Sequence, residues 1–240
     1  MSDPRLAVIE KRLSEVGRVV AVSSGKGGVG KSMVATALAL SLARRGSSVG
    51  LLDLDFTSPS THVIMGVEGL VPEEDYGIVP PTVHGLRYMS IVHYSGEEPA
   101  PLRGEDVSNA IIELLAITRW GKLDYLVVDM PPGIGDATLD TLRLIPRIEF
   151  IVVTTPSKVA YRSVKRLLLL LLDLRIPVIG VLENMVTKRS RYIKEEVTGL
   201  GLRYLGGVAH DDDLEAAIGD PDKLLKTKFG GDVDDLARVL

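Results

Sequence analysis

The eight residues from position 25 to position 32 have the types and spacing of a phosphate-binding loop, GxxxxGK(S/T). Glycines let such a loop curl with its backbone N–H groups pointing inward, and the following helix presents its positive end to the same anion. We expect Lys31 to reach the β- and γ-phosphates of a nucleoside triphosphate and the Ser32 hydroxyl to ligate Mg²⁺. A glycine-rich turn without a ligand is the alternative, but it requires neither the lysine nor the full spacing. The predicted nucleotide-binding residues of the loop are Gly25, Lys26, Gly27, Gly28, Val29, Gly30, Lys31 and Ser32.

Three aspartates stand where apolar runs end. Asp53 and Asp55 close the run LLDLDF, and Asp129 follows four apolar residues in the Walker B pattern. In open α/β sheets ligands bind at the carboxyl ends of the strands, so these carboxylates are expected beside the phosphate-binding loop. There they would hold Mg²⁺ and its waters, with Asp129 contacting the ion mostly through water. For each aspartate the alternative is a helix cap or a turn.

The elements that must position these residues alternate along the chain. Short runs rich in Val, Ile and Leu alternate with helical stretches, which predicts an α/β fold with a doubly wound, mainly parallel sheet flanked by helices. No repeat, low-complexity tract or linker divides the chain, so residues 1–240 are expected to form a single domain. The glycine- and proline-rich stretch 65–82 is predicted to be a long surface loop. Strands are predicted near 18–22, 48–53, 86–91, 123–129, 149–154, 177–182 and 202–208, and helices near 5–16, 32–45, 107–118, 214–218 and 232–240, with a leucine-rich helix ending near 174 and a short one after 188.

Charge and hydropathy argue against several partners. The net charge is -4 and the pI about 5.6, so no global field favours nucleic acid or anionic lipid. The most apolar run, 167–172, is far shorter than the roughly 20 residues that a membrane-spanning helix needs. The first residues lack a positive start followed by an apolar stretch, so no secretory signal is expected. We therefore expect a soluble, cytoplasmic protein.

Cysteine is absent from the sequence. Its absence excludes disulfides, thiolate nucleophiles, zinc–thiolate sites and an iron–sulfur cluster bound through the chain's own cysteines. Glutamine is also absent, and the asparagines are Asn109 and Asn184. This depletion predicts a thermophilic source, a hypothesis that a melting midpoint in the mesophilic range would contradict.

The phosphate-binding loop contains a second lysine, Lys26, directly after its first glycine. The pattern resembles the deviant Walker A motif of the MinD/ParA/nitrogenase-iron-protein branch of SIMIBI-type P-loop NTPases. The resemblance implies an ATP-hydrolysing homodimer in which Lys26 reaches the partner's phosphates, like an arginine finger. It also implies that Asp55 orients the attacking water and that Asp53 supports the metal shell. A solvated loop charge is the alternative for Lys26.

Further motifs narrow the resemblance. Together they look like the Mrp/ApbC group, whose members carry iron–sulfur clusters, and the similarity spans about 5–219. In that group the residue matching Asn184 hydrogen-bonds the adenine, so Asn184 is a candidate for base binding; a capping or turn residue is the alternative. The motifs are Ser58-Pro59-Ser60, Leu102-Arg103-Gly104, Trp120-Gly121-Lys122-Leu123-Asp124-Tyr125, Asp129-Met130-Pro131-Pro132-Gly133-Ile134-Gly135-Asp136, Thr154-Thr155-Pro156, Glu183-Asn184-Met185 and Leu205-Gly206-Gly207 with Asp211.

The chain departs from the Mrp/ApbC pattern at two places. The group has a CxxC pair a few residues after its Glu-Asn-Met triplet, and this pair binds the bridging cluster at the dimer interface. Here the stretch 186–194 is basic and lacks cysteine. In addition, Ser58 stands where the group usually has glycine. The resemblance thus implies the group's ATPase without its usual cluster ligands.

Several functions stay open from the sequence. The first is a carrier-type ATPase that works with an unidentified client protein, iron–sulfur proteins being one class of client. The alternative is a ParA/MinD-like switch, in which ATP-driven dimerisation acts on DNA segregation, positioning or a protein partner. A membrane anchor is not expected, because 232–240 is short and acidic. DNA binding is disfavoured, since a run of basic residues is usually a solvated face; the residues concerned are Lys188, Arg189, Arg191, Lys194 and Arg203.

Asp136 follows the Pro-Pro-Gly turn by three residues. It is predicted either to cap the next helix or to act in a switch segment, and the sequence does not separate these roles.

Overall fold

The computed structural model describes residues 3–95, 105–188 and 191–240. Its strands are β1 (Val16–Ser24), β2 (Val49–Asp53), β3 (Glu73–Glu74), β4 (Ile78–Val79), β5 (Thr82–Val83), β6 (Leu86–Ser90), β7 (Leu123–Asp129), β8 (Ile148–Thr154), β9 (Val178–Val186) and β10 (Tyr204–Ala209). Its helices are α1 (Arg5–Leu13), α2 (Lys31–Arg44), α3 (Thr61–Met65), α4 (Val92–Ser95), α5 (Glu105–Ile117), α6 (Asp136–Leu144), α7 (Lys158–Asp173), α8 (Tyr192–Gly199), α9 (Pro221–Leu224) and α10 (Lys228–Ala237), with a 3₁₀ turn at Glu215–Ala217.

Eight of these strands form one sheet in the order β10-β9-β8-β1-β7-β2-β6-β5. All neighbouring pairs are parallel except β5 with β6. β1 is central and pairs with both β7 and β8. Val22 of β1 lies opposite Asp129, and Asp129 in turn lies opposite Asp53 of β2. The register therefore brings the ends of three strands to one edge of the sheet, beside the loop that follows β1.

The sheet is buried on both faces, which explains why its central strands read as continuous apolar runs. On one face Val20 and Val22 pack with buried residues of α2, α9 and α10. On the other face Val19 and Ala21 pack with buried residues of α1, α5, α6, α7 and α8. The predicted doubly wound α/β architecture is confirmed.

Two predicted boundaries were wrong for physical reasons. The first helix ends at Leu13, because Val16 of the predicted helix 5–16 is the first residue of β1 and pairs with Leu123. The strand predicted at 177–182 continues to Val186, since β9 keeps its pairing with β10 through Glu183 and Val186. Asn184 therefore lies within a strand and not in a turn after one.

The C-terminal helix, predicted at 232–240, begins and ends earlier, at Lys228 and Ala237. It begins at Lys228, and the hydroxyl of Thr227 caps it by accepting the N–H of Gly230. The glycine pair at 230–231 hid this start in the sequence. Gly230 is required by packing, because a Cβ there would lie 2.3 Å from the carbonyl oxygen of Leu224.

The stretch 65–82 is not wholly irregular. It contains the antiparallel pair β3 and β4, in which Glu73 lies opposite Val79. Arg12 donates to the carbonyl of Tyr76, and Arg119 forms an ion pair with Asp75, so the turn between the two strands is tied to the body of the protein. No helix in the described part of the chain is long and apolar enough to cross a membrane.

Candidate functional site

The phosphate-binding loop connects the end of β1 at Ser24 to the start of α2 at Lys31. Gly28 and Gly30 have φ angles of 77° and 80°, in the left-handed region that favours glycine. Gly30 is the N-cap residue of α2. The chain can enter the helix in this way only because these two positions lack a side chain.

The remaining loop glycines differ in their surroundings. A Cβ on Gly25 would lie 2.3 Å from the backbone nitrogen of Val164 and 2.4 Å from the carbonyl carbon of Ser163 in α7. Gly25 therefore allows the loop to pack directly on the backbone of α7. By contrast, apart from Gly27 itself and its two chain neighbours, no heavy atom of the described residues lies within 4 Å of the position that a Cβ on Gly27 would take. The loop thus faces open space at its centre, where a phosphate group can approach the backbone.

Lys31 is the only ammonium group that the described residues bring into contact with the predicted acidic residues. It is buried, and its Nζ lies 2.6 Å from Oδ1 of Asp129 and 3.8 Å from Oδ2 of Asp55. The same Nζ lies 3.1 Å from the hydroxyl oxygen of Ser32. The residues that the loop and the strand ends were predicted to bring together therefore meet in the structure.

Asp129 is fully buried at the end of β7. Burial raises the pKa of Asp129 to about 7, while the charge of Lys31 acts in the opposite direction. Its second oxygen, Oδ2, is buried and accepts no hydrogen bond from the described residues. A buried carboxylate oxygen without a donor next to a serine hydroxyl suits a hard cation such as Mg²⁺ or one of its waters.

Asp53 has a different environment, because protein donors occupy both of its oxygens. Oδ1 accepts the N–H of Asp55 at 3.0 Å, and Oδ2 accepts the hydroxyl of Thr61 at 2.7 Å and its N–H at 3.3 Å. Burial raises the pKa of the Asp53 carboxyl, and these donors oppose that effect. Asp53 thus holds both ends of the segment 54–61, and its role in the metal shell stays a prediction.

Asp55 lies on that segment and faces the phosphate-binding loop. Its Oδ1 accepts the hydroxyl of Thr57 at 2.8 Å and the N–H of Ser58 at 3.2 Å, while Oδ2 is directed towards Lys31. Ser58 uses its backbone here, so this contact is available with serine where the Mrp/ApbC group has glycine. A cavity of about 550 Å³ is lined by the loop, Asp55 and Pro132.

The Pro-Pro-Gly turn after β7 is tied to the same edge. The N–H of Gly133 donates to the carbonyl of Ser24 at 2.9 Å, and Gly133 has a φ of 83°. The next helix is capped by Gly135 and begins at Asp136. Asp136 is therefore not the N-cap; as the first helical residue, it interacts favourably with the helix dipole.

Asn184 approaches the phosphate-binding loop from β9. It is buried, and its side-chain amide donates to the carbonyl of Val29 at 2.9 Å. The amide also lies against Gly30, where a Cβ would be 2.3 Å from its nitrogen. Met185, the next residue, has a left-handed φ of 58°. Asn184 thus ties β9 to the loop and is neither a cap nor a turn residue.

A second cavity, of about 360 Å³, opens beside Asn184 and adjoins Gly30. Sequence reasoning missed most of its walls. His210 and Asp211 follow β10 and face this cavity together with Met33 and Phe229. Asp211 accepts the N–H of Phe229 at 2.9 Å, which joins the end of β10 to α10. The signal that could have located these walls is the strand order, which places the residue after β10 beside the end of β9.

Lys26 is exposed and lines the same cavity as Asp55. Exposed apolar side chains lie near the same edge of the sheet: Val63 follows β2, Ile134 follows β7, and Val159 follows β8 and is 74% exposed. β7 and β8 flank β1, and β2 lies next to β7. The edge that carries the phosphate-binding loop is thus partly apolar at its surface.

The basic residues predicted as a patch do not form a uniformly positive surface. Arg191 and Lys194 line a cavity of about 850 Å³, but Glu183 and Asp232 line it as well. Arg189 lies outside the described residues, as does the motif Leu102-Arg103-Gly104.

Comparison with known proteins gives a consistent result. The family described as ParA, NUBPL iron-transfer P-loop NTPase, matches residues 15–214. An iron–sulfur cluster carrier protein of Pseudomonas fragi is 43% identical over 177 residues, which cover 72% of this chain and 62% of the relative. The chain spans 62% of the length of this Pseudomonas relative and 60% of that of a relative from Aquifex aeolicus, also an iron–sulfur cluster carrier protein.

Solved structures agree on the fold. The nucleotide-binding protein of Archaeoglobus fulgidus, in complex with ADP, superposes with a TM-score of 0.76 at 29% identity, covering 96% of this chain and 93% of its own. The cell division ATPase MinD of Pyrococcus furiosus superposes with a TM-score of 0.68 at 21% identity, covering 92% of this chain and 97% of its own. The second likeness shows the fold alone.

Proposed function

The chain belongs to the NUBPL iron-transfer P-loop NTPase family, and on this premise we propose that it is a Mg²⁺-dependent ATPase. The observation that carries the proposal is the arrangement around Lys31. A buried lysine at the start of α2 contacts the serine and the strand-end aspartate that suit Mg²⁺, and one buried oxygen of that aspartate has no donor among the described residues. These residues are suited to bind a phosphate group and its cation in the adjacent cavity.

The residues would act as follows. When ATP binds, Lys31 exchanges its contact with Asp129 for the β- and γ-phosphate oxygens. Ser32 and, through water, Asp129 hold the Mg²⁺ that accompanies ATP, which supplies positive charge against the phosphate oxygens. Asp55 orients the water that attacks the γ-phosphate, since its carboxylate faces the same cavity. Asn184 and the neighbouring cavity receive the base.

Hydrolysis in this proposal takes place in a homodimer. Lys26 is exposed, and its ammonium forms no ion pair with a carboxylate of the described residues, so it is free to reach a nucleotide on a second copy. The exposed apolar side chains on the same edge favour burial against another surface. Lys26 then stabilises charge on the partner's phosphates in the transition state.

The test is ATP-dependent dimerisation, measured by light scattering during gel filtration. We expect wild-type protein to dimerise with Mg²⁺ and a non-hydrolysable ATP analogue, and Lys26→Ala to bind the nucleotide but remain monomeric. Lys11→Ala is the matched control, because Lys11 is an exposed lysine that precedes β1, at the opposite end of the strand. Normal dimerisation of Lys26→Ala would remove the role of this lysine across the dimer.

The client is proposed only by class. The Pseudomonas relative is an iron–sulfur cluster carrier protein, and this chain lacks cysteine. We propose that the ATPase serves iron–sulfur proteins as clients and that any cluster it handles is held by a partner's ligands.

A further inference from the structure

Tyr88 is a buried residue that sequence analysis did not single out. It lies on β6 and is fully inaccessible to solvent. Its hydroxyl oxygen is 2.9 Å from the hydroxyl oxygen of Thr61, which in turn is 2.7 Å from Oδ2 of Asp53. Three side chains from β6, α3 and β2 thus form one hydrogen-bonded chain, and all three are buried.

The direction of this chain follows from the number of protons. Each oxygen of Asp53 accepts a backbone N–H, and Thr61 donates its single hydroxyl proton to Oδ2. Thr61 can then only accept from Tyr88, which makes Tyr88 the donor. Burial and the nearby charge of Asp53 both raise the pKa of Tyr88, so its hydroxyl keeps the proton that this role requires.

The chain fixes a segment that the proposed reaction needs. The segment 54–61 leaves β2 at Asp53 and returns to it at Thr61, because Asp53 accepts the N–H of Asp55 with one oxygen and Thr61 with the other. Asp55 therefore sits between two attachment points on one carboxylate. The orientation of that carboxylate depends on the Thr61 hydroxyl, whose rotation is limited by Tyr88.

We propose that Tyr88 is a positioning residue that acts through Thr61 and Asp53 to hold Asp55 against the phosphate-binding loop. The inference rests on the proposed ATPase function for its kinetic consequence, but not for its structural one. A phenylalanine would fill the same apolar space on β6, so packing alone does not require the hydroxyl. A buried hydroxyl is costly unless it is hydrogen-bonded, and here its partner is the group that holds the Asp53 carboxylate.

Tyr161 is a matched control. It is also buried, but it lies in α7, and its hydroxyl has no hydrogen-bond partner among the described residues. Tyr161→Phe removes the same atom as Tyr88→Phe without touching Asp53. Thr61→Ser keeps the donor to Asp53, whereas Thr61→Val removes it.

The first measurement is amide hydrogen exchange in nucleotide-free protein. We expect Tyr88→Phe and Thr61→Val to exchange faster over 54–61 than wild type, by about tenfold for the loss of one hydrogen bond. Tyr161→Phe and Thr61→Ser should exchange as wild type does. Unchanged exchange over 54–61 in Tyr88→Phe would overturn the proposal, whether or not the protein hydrolyses ATP.

The second measurement is steady-state hydrolysis of ATP. Tyr88→Phe should lower kcat about tenfold with little change in KM, because the phosphate-binding loop itself is intact. An equal loss in Tyr161→Phe would mean general loosening and would contradict the positioning role. If the wild type hydrolyses no ATP, the ATPase proposal fails while the exchange result still decides the role of Tyr88.

Discussion

At the scale of single residues, the site holds more negative than positive charge. Asp53, Asp55 and Asp129 are all buried, and Lys31 is the ammonium that the described residues place against them. Burying a carboxylate is costly unless a cation or hydrogen-bond donors compensate it. Lys31 therefore stabilises the buried carboxylates before nucleotide binds. In the proposed function it contacts phosphate oxygens afterwards.

Lys31→Ala should affect both binding and stability. ATP affinity should fall by at least about a hundredfold, because the start of α2 then lacks the ammonium that would contact the β- and γ-phosphates. The free energy of unfolding should fall by about 3 kcal/mol at pH 8, because Asp129 then loses the cation that compensates its burial. The pKa of Asp129 is already raised by burial, so this carboxyl takes up a proton more readily when folded than when unfolded, and the loss should shrink as the pH falls to 5.

Calorimetry with ATP and urea unfolding at the two pH values measure these effects. Lys26→Ala serves as the control for stability, because that side chain is exposed and should leave the free energy of unfolding nearly unchanged. Tight ATP binding by Lys31→Ala, or a stability loss independent of pH, would contradict the assignment.

At the scale of elements, the site depends on three strands that end together. Val22, Asp129 and Asp53 are successive partners across β1, β7 and β2, so the register sets the distance between the loop and the carboxylates. The loop itself is placed by its contact with α7 through Gly25. Asn184 fixes it from the opposite side through Val29.

The loop glycines provide a test of this placement. Gly25→Ala should lower the free energy of unfolding by about 2 kcal/mol, because its Cβ meets the α7 backbone, which cannot move aside without disturbing the helix. Gly27→Ala adds the same methyl group in open space and should change stability by less than about 0.5 kcal/mol. Thermal or urea unfolding of both variants measures this difference in the free energy of unfolding. Equal stability of the two would mean that the contact with α7 does not position the loop.

The sequence predicted those parts of the site that follow from local spacing. Lys31, Asp55 and Asp129 could be placed because the loop motif is contiguous and the carboxyl ends of parallel strands meet at one edge. The hydrogen bonds of Asp53 to Thr61 could not, because they depend on where α3 begins. Nor could the walls beside Asn184, because they come from the ends of β10 and α10, whose glycines obscure the local pattern.

At the scale of the whole molecule, helices cover both faces of one sheet, and the edge with the phosphate-binding loop remains accessible. That edge carries Lys26 and the exposed side chain of Val159. An interface there would bring two nucleotides and two loops together. The absence of cysteine bears on the cargo that such a proposed dimer could carry, because the chain supplies no thiolate ligand of its own.

Iron–sulfur reconstitution tests whether this chain can hold a cluster through its own side chains. The protein incubated with iron and sulfide under reducing conditions should elute from gel filtration without a cluster chromophore, because no thiolate is available as a ligand. A cysteine-containing carrier of the same family, treated in parallel, is the control. A stable chromophore that co-elutes with this chain would require other ligands and would contradict the proposal that a partner holds the cluster.

The most direct test of the central proposal is phosphate release from ATP by wild type and Asp55→Ala, under conditions where calorimetry shows both to be saturated with Mg²⁺-ATP. We expect Mg²⁺-dependent turnover by the wild type and a rate at least about a hundredfold lower in Asp55→Ala at similar ATP affinity. In this variant the phosphate-binding loop is intact, but the attacking water is no longer oriented. Saturated wild-type protein that releases no phosphate, or an unchanged rate in Asp55→Ala, would contradict it.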